Sequence, residues 1–166
     1  MPERTLIELL YGGGAHANPL ACVEDLSAEL AGRHAQNLPH SVWQIVWHVN
    51  FWTDYELRRI RGEKPQYPDH AAESWPPSTP PTENGWKKEI ARFAELLAAL
   101  AALAAADSNE LNREVPAMHP NQETRTSTVL AILWQTVAHN SYHVGQIALV
   151  RRALAAWPPK AGGDSW

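Results

Sequence analysis

The feature that most constrains the fold is a long stretch, residues 82–106, whose apolar side chains recur at helical spacing. Alanines fill much of the rest of this stretch, and alanine both favours the helix and lets a neighbouring helix approach closely. A helix with one apolar stripe must bury that stripe against other elements. We therefore expect a helical bundle with this helix as one member. The stripe consists of Ile90, Phe93, Leu97, Leu100 and Leu103.

Two further long helices carry signals at their ends. Ser41 and Gln44 have the spacing of a capping box, and Gly62 is a typical C-terminal stop, so a helix is predicted between them. The last helix is predicted to begin at Thr126 or Ser127 and to end near Trp157, before two consecutive prolines.

The N-terminal segment has the pattern of a helical arm with one interruption. Residues 6–10 predict a short helix that Gly12 and its neighbouring glycines stop, and residues 19–30 predict a second piece with Asn18 as its cap. No alternating run indicates a strand. The sequence therefore predicts an all-α, antiparallel four-helix bundle that forms a single domain over residues 1–166.

A proline-rich connection separates two of these helices. Residues 63–81 contain six prolines and are predicted to form a loop. A connection of this length is unusual in a compact domain and often has a function, for instance as a lid.

Charge and composition exclude several classes of partner. The formal net charge is −4, whereas a nucleic-acid-binding domain usually presents a basic surface, so no nucleic-acid partner is expected. The longest apolar run, residues 96–106, is shorter than the ~18–20 residues that span a bilayer, and no signal-peptide core is present. The single cysteine, Cys22, cannot form an intrachain disulfide and is expected to be a small buried hydrophobe. A cytoplasmic location without membrane contact is the default expectation.

Three histidines are the candidate metal ligands. His139 and His143 lie four residues apart in the last predicted helix, which puts both imidazoles on one face and close enough to share an ion. In a chain with eight histidines this spacing also arises by chance, and it fits two hydrogen-bonded histidines equally well. His48 lies in mid-helix among apolar neighbours, where a lone histidine is more often a core residue. A bundle can nevertheless bring such a residue against an i, i+4 pair, and three imidazoles leave coordination positions open for water or substrate.

Two segments of the chain resemble the signature regions of the DinB/YfiT-like superfamily. The first is Ser41-Val42-Trp43-Gln44-Ile45-Val46-Trp47-His48, and the second is His139-Asn140-Ser141-Tyr142-His143-Val144-Gly145-Gln146-Ile147. The C-terminal part, with Arg151-Arg152 followed by Ala156-Trp157-Pro158-Pro159, also resembles the family. The resemblance covers nearly the whole chain and preserves the order of one histidine in the second helix and two in the fourth.

This resemblance implies both a fold and a site. The fold is an up-down-down-up four-helix bundle that is often a homodimer, and the site holds a divalent ion, zinc, nickel, iron or manganese. His48, His139 and His143 match the three metal ligands. Gln146 lies three residues after His143 and could orient its ring or a bound water from outside the coordination sphere, although a polar residue at a helix seam explains it equally well.

The reaction is left open by the resemblance. Some relatives transfer a low-molecular-weight thiol such as bacillithiol or mycothiol to a small-molecule substrate, and others resemble hydrolases. No carboxylate lies beside the ligands, since Asp54 and Glu56 follow His48 by six and eight residues, which disfavours a hydrolase. A non-enzymatic module with a structural or stress-related metal ion is the alternative from another class.

The remaining candidate residues have ordinary structural explanations. The other histidines are expected in loops or near helix ends, with His119 the first to test for proximity to the site. Four tryptophans are expected to fill the core or pocket walls, and three arginines are expected to complement a helix C-terminus or line an anionic substrate's path. These residues are His16, His34, His40, His70 and His119; Trp43, Trp47, Trp52 and Trp134; and Arg58, Arg59 and Arg61.

Overall fold

A computed structural model describes residues 2–116 and 126–162, and the elements within these ranges are mostly helical. The chain forms α1 Pro2–Leu10, α2 Ala21–Glu24, α3 Ala28–Gly32, α4 Val42–Ile60, a 3-10 turn Ala71–Ser74, α5 Glu83–Ala104, α6 Ser108–Leu111, β1 Glu114–Pro116, β2 Thr126–Thr128 and α7 Val129–Ala153. The bundle consists of α1, α4, α5 and α7. Helix α4 packs between α5 and α7, and α1 closes the opposite side against the same two helices. The predicted all-α bundle is confirmed.

The side-chain contacts also give the helix directions. Trp43 touches Trp86 near the beginnings of α4 and α5, and Asp54 pairs with Arg92 further along both helices, so α4 and α5 run parallel. Helix α7 starts near the end of α4, because Arg113 donates to the Ile60 carbonyl and accepts from the Val129 N–H. Helix α7 is therefore antiparallel to α4, as an up-down-down-up bundle requires.

The predicted helix ends agree well with the structure. The Ser41 hydroxyl accepts from the Gln44 N–H at 3.3 Å, and the Gln44 side chain accepts from the Ser41 N–H at 3.1 Å. Gly62 follows the end of α4 with φ of +81°, a left-handed conformation that favours glycine. Thr82 caps α5 by accepting from the Gly85 N–H.

The N-terminal arm is broken twice rather than once. The Asn18 side chain accepts from the N–H groups of Leu20 and Ala21, as expected of a cap, but α2 ends at Glu24. Asp25 turns its carboxylate to Arg151 of α7, and Ser27 then caps the separate turn α3. A long-range ion pair therefore interrupts the helix that the local pattern predicts.

The last helix is shorter than predicted at both ends. Residues 126–128 pair with residues 114–116 as an antiparallel ribbon, and Thr128 caps α7 instead of Thr126 or Ser127. At the other end α7 stops at Ala153, and Ala155 has φ of +56°. The expectation of no strand is wrong for this short ribbon, because three residues are too few to show an alternating pattern.

The core lies between the bundle helices and leaves a polar strip between α4 and α7. Cys22 is fully buried, as predicted. His48, Asn140 and His143 are buried polar residues within this otherwise apolar interior. Of the helices in the described ranges, none combines the length and the apolar character needed to cross a bilayer.

Candidate metal centre

The packing of α4 against α7 brings the three predicted histidines together. His139 and His143 lie one turn apart on α7, and their ring centroids are 4.5 Å apart. The His48 ring lies 5.4 Å from that of His139 and 4.9 Å from that of His143. One ring nitrogen from each residue lies within 4.8 Å of the other two, which is compatible with a shared ion. Their role as metal ligands stays a prediction.

Each imidazole has an oxygen partner on its Nδ1 atom. The Nδ1 atom of His48 lies 2.9 Å from the Ser74 carbonyl oxygen, and that of His143 lies 2.7 Å from Oε1 of Gln146. The Nδ1 atom of His139 lies 3.3 Å from Oδ1 of Asn140. Because a carbonyl oxygen can only accept, these contacts place the proton of each ring on Nδ1 and leave the lone pair on Nε2.

The Nε2 atoms of His139 and His143 lie only 3.2 Å apart. With both protons on Nδ1, two lone pairs face each other across this distance, which is unfavourable without a positive charge between them. Two nitrogens bound to one zinc ion at ~2.0–2.1 Å in tetrahedral geometry are about 3.3 Å apart. The donor atoms and their spacing therefore fit a divalent ion.

Burial keeps the three rings in the form that a metal requires. Desolvation lowers the pKa of His48 to about 4 against the opposing effect of the Ser74 hydrogen bond, and the charges of His139 and His40 add to the lowering. Desolvation, followed by the His139 charge, lowers the pKa of His143 to about 4, and burial also lowers the pKa of His139. All three rings are consequently neutral at pH 7, as ligands must be.

The proline-rich loop supplies two contacts that sequence reasoning missed. Ser74 provides the carbonyl on His48, and the Trp75 indole stacks on the His48 ring with centroids 3.9 Å apart. His40 stacks on the other face of Trp75 at 3.7 Å, so this histidine lies near a helix end, as expected, but also adjoins the site. Every residue has a backbone carbonyl, so the sequence does not indicate which carbonyl contacts His48. One tryptophan among eight does not stand out either.

The other histidines lie apart from this group in the described residues. His16 contacts the Ser141 hydroxyl at 3.0 Å and the Ala17 carbonyl at 2.8 Å, which ties the first loop to α7. His34 and His70 are exposed. His119 lies outside the described residues, so its expected proximity to the site is not addressed.

The structure also places the remaining candidates. Gln146 contacts His143 through its Oε1 atom, a position from which it could orient that ring. Trp52 packs edge-on against His48, but Trp134 is 39% exposed, so the expectation that it fills the core is wrong. Arg58 pairs with Glu63 at the end of α4.

The two carboxylates that follow His48 are engaged elsewhere. Asp54 pairs with Arg92 at 3.6 Å, and Glu56 pairs with Arg59 at 2.8 Å. Neither is aligned as a general base beside the three imidazoles.

Comparison with known proteins gives one match. A family model described as the DinB superfamily matches residues 14–147, which span both histidine segments and most of the chain. No curated protein and no solved structure matches significantly.

Proposed function

This chain belongs to the DinB superfamily, and on that premise we propose that it is a metal-dependent enzyme acting on a small molecule. The observation that carries the proposal is the convergence of three imidazoles, with one ring nitrogen of each within 4.8 Å of the other two and with all three Nδ1 atoms facing oxygen acceptors. His48, His139 and His143 would hold zinc, nickel, iron or manganese, since imidazole nitrogens suit each of these ions.

The proposed substrate is a low-molecular-weight thiol together with a carbon electrophile. A divalent ion at the site would lower the pKa of a bound thiol and so supply a thiolate at neutral pH. The sulfur forms a bond to the electrophilic carbon, the leaving group departs with the bond's electrons, and the thiol proton passes to solvent. His139 is half-buried whereas His48 and His143 are buried, so we propose that a substrate approaches from the His139 side.

The pairing of the nearby carboxylates with arginines supports the choice of transfer over hydrolysis. Activation of water at a three-histidine site usually benefits from a nearby carboxylate base. Asp54 and Glu56 are paired with arginines, as described above. Thiol transfer needs no such base, because the thiol loses its proton on binding.

The first test is the metal content of the purified protein. We expect about one divalent ion per chain in the wild type and almost none in His143→Ala, because the two imidazoles that remain, His48 and His139, bind an ion far more weakly than three. His34→Ala removes an exposed histidine and is the matched control, with metal content unchanged. Wild-type protein that takes up no zinc, nickel, iron or manganese would refute the metal site.

The second test measures thiol transfer directly. Metal-loaded wild type, metal-loaded His34→Ala and His143→Ala are assayed with bacillithiol, mycothiol or cysteine and a chromogenic aryl halide. We expect acceleration with at least one thiol in the first two proteins and none in the third. A protein that binds metal but accelerates no thiol reaction contradicts the transferase proposal and favours the non-enzymatic alternative. In that alternative, the ion stabilises the fold, and chelation should lower the melting temperature strongly.

A further inference from the structure

The loop segment of residues 71–76, named here the cap segment, contacts the candidate centre in three ways. The Ser74 carbonyl accepts from Nδ1 of His48 at 2.9 Å. The Trp75 indole stacks on the His48 ring, with an interplanar angle of 12°, and meets the His143 ring edge-on at 6.1 Å. One short segment therefore touches two of the three candidate ligands.

The cap segment is held in its shape mainly by its own hydrogen bonds. The Ser74 hydroxyl donates to the Ala71 carbonyl at 2.7 Å, and Glu73 accepts from the His70 N–H at 3.1 Å. Ser74 is buried, whereas residues 71–73 are exposed. Pro76 is buried as well and Trp75 is half-buried, so the attachment of this segment to the bundle depends on Ser74, Trp75 and Pro76.

Trp75 occupies a stack of three aromatic rings. His40 lies on one face of the indole at 3.7 Å and 8°, and His48 lies on the other face at 3.9 Å. The Nδ1 atom of His40 is buried and has no hydrogen-bond partner, so stacking is the principal contact seen for this ring. The stack joins the segment before α4, helix α4 itself and the cap segment.

We propose that metal binding and docking of the cap segment are coupled, with Trp75 as a positioning residue for His48. The proposal rests on the metal site proposed above. An imidazole whose Nε2 binds a cation becomes electron-poor, so it stacks more strongly on the electron-rich indole face and donates more strongly from Nδ1. The stronger stacking on Trp75 and the stronger hydrogen bond to the Ser74 carbonyl exist only while the segment is docked.

The coupling acts in both directions. Because the ion stabilises the docked state, the docked state must by linkage bind the ion more tightly. Docking fixes the proton of His48 on Nδ1 and fixes the plane of the ring, which keeps the Nε2 lone pair directed at the centre.

The test measures zinc affinity together with amide hydrogen exchange in peptides that cover residues 71–76. Wild type, Trp75→Ala, Trp75→Phe and the control Trp134→Ala are compared with zinc and with chelator. Trp134 is a partly exposed indole on α7, away from the stack. We expect zinc to slow exchange of the segment in wild type and Trp134→Ala. In Trp75→Ala we expect the affinity for zinc to fall about 10–100-fold, the range for losing an outer support of a ligand.

The conservative variant separates positioning from general stability. Trp75→Phe keeps an aromatic face on His48 and should restore most of the zinc affinity and the zinc-dependent protection. Equal zinc affinity in wild type and Trp75→Ala, or exchange of the segment that does not respond to zinc, would overturn the coupling while leaving the metal site intact. Failure of the wild type to bind zinc or another divalent ion would instead refute the proposed metal site itself.

Discussion

The three imidazoles depend on different neighbours for their orientation. His48 relies on a backbone carbonyl in the cap segment, and His143 relies on the Gln146 side chain one turn further along α7. The contact of His139 with Asn140 is longer, at 3.3 Å, and joins adjacent residues. The support of His143 is therefore the one that a single side-chain substitution removes most directly.

Gln146→Leu tests this support. We expect the variant to fold but to bind zinc about 10–100-fold more weakly, because the ring of His143 loses the acceptor that fixes its proton and plane. Calorimetric titration with zinc measures the affinity. Gln135→Leu changes an exposed glutamine of the same helix and should bind zinc like the wild type. Unchanged affinity in Gln146→Leu would assign Gln146 to helix packing alone.

At the level of elements, a buried ion pair attaches the N-terminal arm to the end of α7. Arg151 is 2% exposed and donates to the Cys22 carbonyl at 2.7 Å and to Asp25 at 2.8 and 3.2 Å. Asp25 also accepts from the Lys160 N–H. Burial alone would raise the pKa of Asp25, but the hydrogen bonds from Arg151 and Lys160 outweigh it and lower this pKa below 3.8.

Asp25→Asn should destabilise the fold by about 3 kcal/mol at pH 7, because it leaves a buried guanidinium without its counter-charge. The pKa of Asp25 is lower in the folded state, so the stabilisation is present above the ordinary value of 3.8 and is lost as the pH falls through the folded value. The difference in unfolding free energy between wild type and variant should therefore shrink in acid. Urea denaturation at several pH values measures it.

Asp54→Asn is the matched control for this prediction. Its partner Arg92 lies 3.6 Å away, and the side chains of Arg92 and Asp54 are 41% and 35% exposed. Exposed pairs contribute about 0–1 kcal/mol, so the control should change stability little. Equal losses in the two variants would contradict a special role of the Asp25–Arg151 pair.

For the whole molecule, the outer face of α7 carries exposed apolar side chains. Exposed residues on this face repeat at spacings of four, three and four, and they are Ala138, Tyr142, Gly145 and Leu149. Tyr142 and Leu149 are 65% and 53% exposed, and nothing lies within 4 Å of a Cβ built on Gly145. Such spacing suits the packing of one helix against another, and we propose a homodimer through this face.

Leu149→Glu should convert this dimer to a monomer, because each subunit would place a carboxylate in the apolar contact. Light scattering coupled to gel filtration measures the mass. Ala98→Glu adds the same charge to an exposed position of α5 and should leave the dimer intact. A monomeric wild type, or a dimeric Leu149→Glu, would refute this interface. Since Tyr142 packs against His143 with ring centroids 5.2 Å apart, the proposed interface adjoins the candidate metal centre.

The sequence by itself determined those features that depend on neighbours within a few residues. The capping box at Ser41, the extent of α5 and the shared face of His139 and His143 all follow from helical hydrogen bonds and from the period of 3.6 residues. Family resemblance added His48 to that pair, and the match over residues 14–147 confirms the family.

Tertiary structure decided the features that depend on distant parts of the chain. The break in the first arm results from Asp25 binding Arg151, which lies 126 positions away, and no local pattern signals that contact. The carbonyl of Ser74 reaches His48 only because the proline-rich loop folds back over α4. No spacing of residues in the sequence predicts which backbone group or aromatic ring a side chain will contact, because tertiary packing sets these partners. The site's three imidazoles were therefore predictable, whereas the cap segment that orients one of them was not.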